Sequence, residues 1–186
     1  MYRARLEMAL ELLGPERYAK LLEAGCGSGI MLPSLRARAG RLYAMDIHKR
    51  HDLVSRMLRC EGVEAALGVG NVCALGYSDA AFDAVVCMST LEHLHGEELT
   101  AAIVEFGRVL RAGGVAVVGV PATGWLMDVL FRAIGFWDID DHHVSTRDSI
   151  RAELARHFSI EAERHMPGRG AHAFTLYSAF LCRKEM

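Results

Sequence analysis

Proline is scarce, cysteine never falls in a CxxC pair, and no apolar run reaches the length of a membrane span. The four prolines leave no Pro-rich linker, and no internal repeat or low-complexity tract interrupts the chain. The apolar runs fall short of the ~18 residues that cross a bilayer as a helix. The five cysteines (26, 60, 73, 87, 182) are odd in number and widely spaced, which excludes a disulfide framework and points to free thiols in a reducing compartment. The opening residues Met1 to Leu13 lack the unbroken apolar core of a secretory leader, because Glu7 and Glu11 interrupt it. Neither sign of charge dominates. The 21 Lys+Arg against 23 Asp+Glu leave a net charge of −2, which removes the electrostatic case for a dedicated nucleic-acid binder. With 52% hydrophobic residues, disorder is excluded as the main state. The 186 residues suit one domain, here expected to be cytoplasmic, with peripheral membrane contact and a monomer or homodimer both open.

What is present is an alternation of two hydrophobic periods. Residues 2–13 place Leu6, Leu10 and Leu13 on one helical face. The pattern then predicts a strand at 20–24, a helix over 30–39, a strand at 41–46, a helix over 49–60 and a weaker strand at 64–69. Phe82–Met88 and Val115–Val120 read as strands buried on both faces, separated by an amphipathic helix over 97–110. Ser145-Thr146-Arg147-Asp148 reads as a capping box that opens a helix through His157. Strands at 158–165 and 173–182 follow, joined so closely that they must pair antiparallel. The expectation is an α/β fold with a doubly wound, Rossmann-like seven-stranded sheet, mostly parallel with an antiparallel last strand. It is a single domain with a core at 20–121 and an insertion at 122–148.

Leu22-Glu23-Ala24-Gly25-Cys26-Gly27-Ser28-Gly29 joins the first strand to the first crossover. Glycines there allow a sharp turn and close approach of backbone to a ligand, or merely a tight strand-to-helix turn. The GxGxG spacing differs from the GxGxxG of dinucleotide binders, and no GK[ST] follows. Asp46 ends the second strand, where a doubly wound fold places a carboxylate for ribose hydroxyls, although it could also cap the next helix. Asn71, after the third strand, would face the same crevice.

These residues carry a resemblance to the class I S-adenosylmethionine-dependent methyltransferases that act on small molecules. Glu23 to Gly29 resembles the family's first motif and Tyr43-Ala44-Met45-Asp46 its second. Gly70-Asn71-Val72 with Leu75 and Asp79 resembles the adenine-binding segment, with Asn where Asp is more usual. Phe82 to Leu94 resembles the fourth motif, and Arg108 to Gly114 the junction into the fifth strand. The resemblance implies S-adenosyl-L-methionine as cofactor and S-adenosyl-L-homocysteine as product. It implies Glu23, Gly25, Cys26, Gly27 and Gly29 at the methionine end, and Asp46 on the ribose. Ile47, Asn71 and Val72 would meet the adenine, with Met88 over the sulfonium.

A methyl acceptor at oxygen or nitrogen must lose a proton, and bases are sought at the carboxyl edge of the sheet. Glu92, His93 and His95 follow the fourth strand, and His142 and His143 follow the fifth. His143 is the expected base and His93 the second choice, since histidine suits proton abstraction near neutral pH. His142 and His143 could equally be an exposed loop pair. Ser89-Thr90-Leu91-Glu92-His93 compares with an ExxEH metal motif of some relatives but has Ser89 at the first Glu, and no metal is expected. Trp125 to Trp137 is apolar and reads as a helix on the domain's own core, a lid over the acceptor, a membrane-surface helix or a dimer face. The expected activity is methyl transfer to a small, partly apolar molecule, at oxygen. A lipid or quinone methyltransferase and a non-catalytic cofactor-binding protein are the alternatives.

Overall fold

The computed structural model describes residues 2–49, 51–121, 144–168 and 175–185. Seven strands form one sheet: β1 (Tyr18–Ala24), β2 (Ala39–Asp46), β3 (Ala66–Val69), β4 (Phe82–Met88), β5 (Leu110–Pro121), β6 (Ser159–Met166) and β7 (Tyr177–Arg183). Their order is β3-β2-β1-β4-β5-β7-β6. The first five run parallel, while β7 lies antiparallel between β5 and β6. The helices are α1 (Tyr2–Leu13), the short α2 (Leu32–Leu35), α3 (His51–Cys60), α4 (Gly96–Val109) and α5 (Arg147–His157). The fold class is the one the hydrophobic periods predict.

Alternate residues of each central strand feed two cores, as a period of two requires. Val85 and Cys87 of β4 and Ala116, Val118 and Val120 of β5 meet α4 and α5 through Leu99, Ile103, Phe106, Ile150 and Leu154. Ala84, Val86, Val115 and Val117 meet the opposite layer, where Leu12 and Leu13 of α1, Leu32 and Leu35 of α2, and Val54 and Leu58 of α3 pack. Leu21 lies in this second core, and Glu23, two residues on, takes the same face of β1.

The differences from the sequence reading lie at element boundaries. The helix expected over 30–39 shrinks to α2 and a 3₁₀ turn at Arg36–Arg38. The chain must reach Ala39 in time to pair with Tyr18, and Pro33 fits only in the first turn. β1 begins two residues early because Tyr18 is already paired, although its first three residues are not buried and give no apolar signal. α4 stops at Val109, since Leu110 pairs with Phe82 and belongs to β5. The cap of α5 is Thr146, whose hydroxyl accepts from the Ser149 amide at 3.2 Å. Ser145 is displaced from that role and donates instead to the Leu94 carbonyl. Residues 125–137, with both tryptophans, and His142 and His143 lie outside the described residues.

Candidate active site

The site grows from the turn after β1. The Gly25 and Cys26 amides both donate to the Met45 carbonyl, at 2.9 and 3.0 Å, which folds the loop over the end of β2. Gly25, Gly27 and Gly29 all take positive φ (76°, 53° and 72°), a region that glycine enters without strain. Their surroundings differ. A Cβ at Gly25 would strike the Thr90 side chain, and one at Gly29 would strike Val54 of α3. Gly27 faces open space. Gly27 is therefore the turn glycine with open space beside it, while Gly29 lets the turn seat against α3.

Asp46 holds this loop in place. Its Oδ2 accepts the Gly27 amide at 2.7 Å and its Oδ1 accepts the His48 amide at 3.1 Å. His48 Nε2 in turn lies 2.7 Å from the Gly27 carbonyl, which can only accept, so that nitrogen carries the proton. Because α3 starts at His51, Asp46 is not its cap. Each carboxylate oxygen accepts one amide and has capacity for a further hydrogen bond.

Glu23 lies 3% exposed beneath the loop, and its Oε2 has no hydrogen-bond partner among the described residues. Burial, with the nearby Asp46 charge, pushes its carboxyl up to about 8. Tyr2 of α1 reaches the same region. Its buried hydroxyl also lacks a partner and is pushed up to about 12, by burial and then by Glu23. Buried polar atoms are nearly always satisfied, so this carboxyl oxygen at the strand ends is one that a ligand's donor could pair. An ammonium such as that of a methionine end fits it in charge and donor count.

Across the crevice the surface turns apolar. Ile47 is 70% exposed, with Ile30 and Val69 also exposed near the ends of β1, β2 and β3. Asn71 Oδ1 accepts the Cys73 amide at 2.9 Å, closing an Asx turn and leaving one lone pair and the amide group for an adenine edge. Val72 is buried in the core beneath. This loop is tied to α4 by Arg108, which donates to the Leu75 and Tyr77 carbonyls and to Asp79, while Glu105 accepts from Arg108 and from the Leu75 amide. A cavity of about 470 Å³ lined by Arg36, Arg41 and Arg59 opens at the amino-terminal edge of β2 and β3, away from this chemistry.

After β4 the chain passes through a constrained corner. Met88 is buried against Gly119 and the α1-side core. Ser89 has φ +59°, uncommon for a residue with a side chain, and its amide donates to the Gly119 carbonyl at 2.7 Å. Ser89 Oγ meets both Arg5 Nη1, at 3.0 Å, and the Tyr177 hydroxyl, at 2.8 Å. The Arg5 guanidinium also stacks over the Tyr177 ring, 5.1 Å from its centroid. Glu92 is 2% exposed, and its Oε2 too has no partner among the described residues. Burial pushes the Glu92 carboxyl up to about 7, against the opposing pull of its own backbone amide and of His93 and Arg5.

The structure thus gathers Glu23, Gly25, Cys26, Gly27, Asp46, Ile47 and Asn71 around one crevice, with Val72 and Met88 as buried support. His93 is an exposed residue, and its neighbour Glu92 is the one turned into the fold. Arg5, Tyr2 and Tyr177 escaped sequence reasoning because α1 and β7 reach the crevice only through the tertiary fold. Ser89 carried no sign of its positive φ.

A seven-stranded sheet in this order, with a glycine turn, a ribose-placed carboxylate and a buried acidic floor at the carboxyl ends of its parallel strands, defines an S-adenosylmethionine-dependent methyltransferase of class I. Comparison with known proteins agrees: the family described as "Methyltransferase domain" matches residues 22–118, and the chain belongs to it. A ubiquinone biosynthesis O-methyltransferase of Xanthomonas axonopodis pv. citri is 34% identical over 112 residues, 59% of this chain and 46% of that protein. A malonyl-[acyl-carrier protein] O-methyltransferase of Serratia marcescens is 32% identical over 110 residues, 59% of this chain and 41% of that one. The chain thus spans less than half the length of these relatives. Among solved structures, the N-methyltransferase NodS from Bradyrhizobium japonicum WM9, in complex with S-adenosyl-L-homocysteine, superposes with a TM-score of 0.75 at 20% identity. That match covers 99% of this chain and 87% of NodS. A methyltransferase from Clostridium acetobutylicum ATCC 824 reaches 0.81 at 14% identity, covering 100% of this chain and 93% of that one.

Proposed function

We propose that this protein transfers a methyl group from S-adenosylmethionine to oxygen on a small, partly apolar molecule, acting as a single catalytic domain. The observation that carries the cofactor half is the pairing of Asp46, clasped to the Gly27 amide, with the orphaned carboxyl of Glu23 below it. The printed names of the curated relatives, both O-methyltransferases, support oxygen as the acceptor atom. The sulfonium supplies an already activated methyl, so the protein's own task is alignment and management of a proton. In this reading Glu23 binds an ammonium and Asp46 orients two hydroxyls. Gly27 offers its backbone without steric cost, and Ile47 and Asn71 take the adenine face and edge. His143 and His93 remain base candidates of the sequence reading. His93 stands exposed, and no described helix is long and apolar enough to cross a membrane.

The test is calorimetric titration with S-adenosylmethionine, S-adenosylhomocysteine and NAD, repeated with Asp46→Ala. Micromolar binding of the first two, at least about tenfold weaker in the variant, is expected, since losing charge-assisted hydrogen bonds costs about 1.5–3 kcal/mol. Binding of NAD alone, or of none of the three, would sink the assignment.

A further inference from the structure

Six buried side-chain polar atoms lack a partner among the described residues, and four of them, on Tyr2, Arg5, Glu23 and Glu92, belong to the crevice between α1 and the carboxyl ends of β1 and β4. Glu23 and Tyr2 are accounted for by the cofactor's methionine end. Glu92 and Arg5 are not.

Glu92 cannot be dismissed as a structural carboxylate. Structural carboxylates here are paired: Glu105 and Asp79 with Arg108, Glu161 with Arg183, Glu153 with Arg156 and Thr100. Glu92 is more buried than any of these, yet Oε2 is left bare. Its backbone is held firmly, since the Glu92 carbonyl accepts both the Val144 and Ser145 amides, at 2.8 and 3.1 Å. The Glu92 backbone is thus pinned by the start of the segment that leads into α5. Among the described residues, the charges of His93 and Arg5 pull the Glu92 carboxyl back down, and Glu92 in turn pushes the Tyr177 hydroxyl and the Cys87 thiol up. Burial first, and then the charges of Glu92, Glu23 and Asp46, push the Cys87 thiol up. Arg5, meanwhile, is held over Tyr177 by Ser89 at a strained corner, with its Nε lacking a partner among the described residues. Strain of this kind persists where surrounding structure over-determines a functional geometry.

We propose that Glu92 is the general base of this enzyme, accepting the proton of the acceptor hydroxyl, and that Arg5 steadies the negative charge left on the acceptor oxygen. The inference rests on the methyltransferase reading above and deepens it. In the step, the acceptor O–H bond breaks and the proton goes to Glu92 Oε2; the electron pair left on oxygen bonds the methyl carbon while the carbon–sulfur bond breaks, its pair passing to sulfur, which leaves as the neutral thioether of S-adenosylhomocysteine. The proton returns to solvent after product leaves. A carboxyl pushed up by burial toward neutrality is matched to this task, because a base works best when its pKa lies near the working pH.

The test uses the whole chain with S-adenosylmethionine and 7-hydroxycoumarin as probe, a small aromatic hydroxyl that ionises in mildly basic solution. At about pH 6.5, where the probe arrives protonated, Glu92→Gln should lose about 10²–10⁴-fold in kcat, with KM little changed. It should bind S-adenosylhomocysteine as wild type does, which also certifies its fold, and Glu92→Asp should restore part of the rate. At about pH 9.5, where the probe arrives already ionised and no proton needs accepting, the loss in Glu92→Gln should shrink to less than about tenfold. A loss of equal size at both pH values, no loss at the lower pH, or bound S-adenosylhomocysteine with no transfer to the probe by wild type, overturns the inference alone. Failure to bind S-adenosylhomocysteine overturns the cofactor assignment and the inference with it.

Discussion

At the scale of single residues, the site is built around carboxyls that are hard to ionise. Glu23 shows the consequence most clearly. Its ordinary value of 4.5 applies in the unfolded chain, and about 8 applies in the fold. Between those values the unfolded chain releases a proton that the folded protein keeps, so stability falls as pH rises from about 4.5 to about 8. Glu92 acts in the same direction up to about 7. Thermal denaturation of the cofactor-free protein should therefore show a Tm that drops steadily from pH 5 to pH 8. Glu23→Gln should flatten that slope and raise Tm at pH 8, while weakening S-adenosylhomocysteine binding, because a neutral amide cannot pair with an ammonium. A variant that keeps the wild-type slope would refute this account of Glu23. A carboxyl that costs stability in the empty protein and gains a partner in the loaded one is a usual compromise of functional sites.

Among the elements, the loop between β3 and β4 decides how well the adenine edge is presented, and it contains almost no regular structure of its own. It is fixed from outside by one arginine. Arg108 of α4 bonds the Leu75 and Tyr77 carbonyls and Asp79, and shares Glu105 with the Leu75 amide. Tyr77 also packs edge-on against Tyr43 and Phe82, with ring centroids 6.2 and 4.9 Å away, which anchors the loop's far end to β2 and β4. Arg108→Ala should cost about 1–3 kcal/mol in urea unfolding, since it leaves two carbonyls and two carboxylates without their donor. It should also weaken cofactor binding while sparing the fold, and hydrogen exchange should report the loss at residues 70–81 first. Arg108→Lys should recover little, because one ammonium cannot reproduce a planar fork that reaches four acceptors. The helices show a related dependence: α4 carries Glu97 and Glu98 in its first turn, where the dipole favours them, but it ends where β5 must begin pairing.

For the whole molecule, the two cores flank a sheet whose carboxyl edge is left open between α1 and the glycine turn. A ligand that fills that edge satisfies groups the empty fold leaves bare, so it binds the folded chain and not the unfolded one. At a concentration 100 times its Kd, S-adenosylhomocysteine should stabilise the protein by about 2.7 kcal/mol, a Tm rise of roughly 5–10 °C for a chain of this size. Differential scanning calorimetry checks this. An unchanged Tm at saturating ligand would mean that the crevice is not the binding site. Asp46→Ala should remove most of the rise, and Glu92→Gln should leave it intact, which separates the cofactor half of the site from the acceptor half.

Much of this architecture was legible before any coordinates. Seven strands, their alternation with helices and the antiparallel ending follow from hydrophobic period and connection length, both local properties of the chain. The cofactor residues were legible for a related reason: Glu23 to Gly29, Asp46 and Asn71 each sit at the end of a strand, and a parallel sheet brings all strand ends to one edge. What the chain alone could not reveal is which side chains face inward across long separations. Glu92 and His93 are adjacent in sequence, and only packing of the 3₁₀ turn buries one and exposes the other. Arg5, Ser89 and Tyr177 are 84 and 88 residues apart along the chain, yet they meet within 3.0 Å. Local propensity determined the sheet and its cofactor edge. The acceptor side was decided by tertiary contact, because burial and the loss of a hydrogen-bond partner are properties of a packed environment rather than of any stretch of sequence.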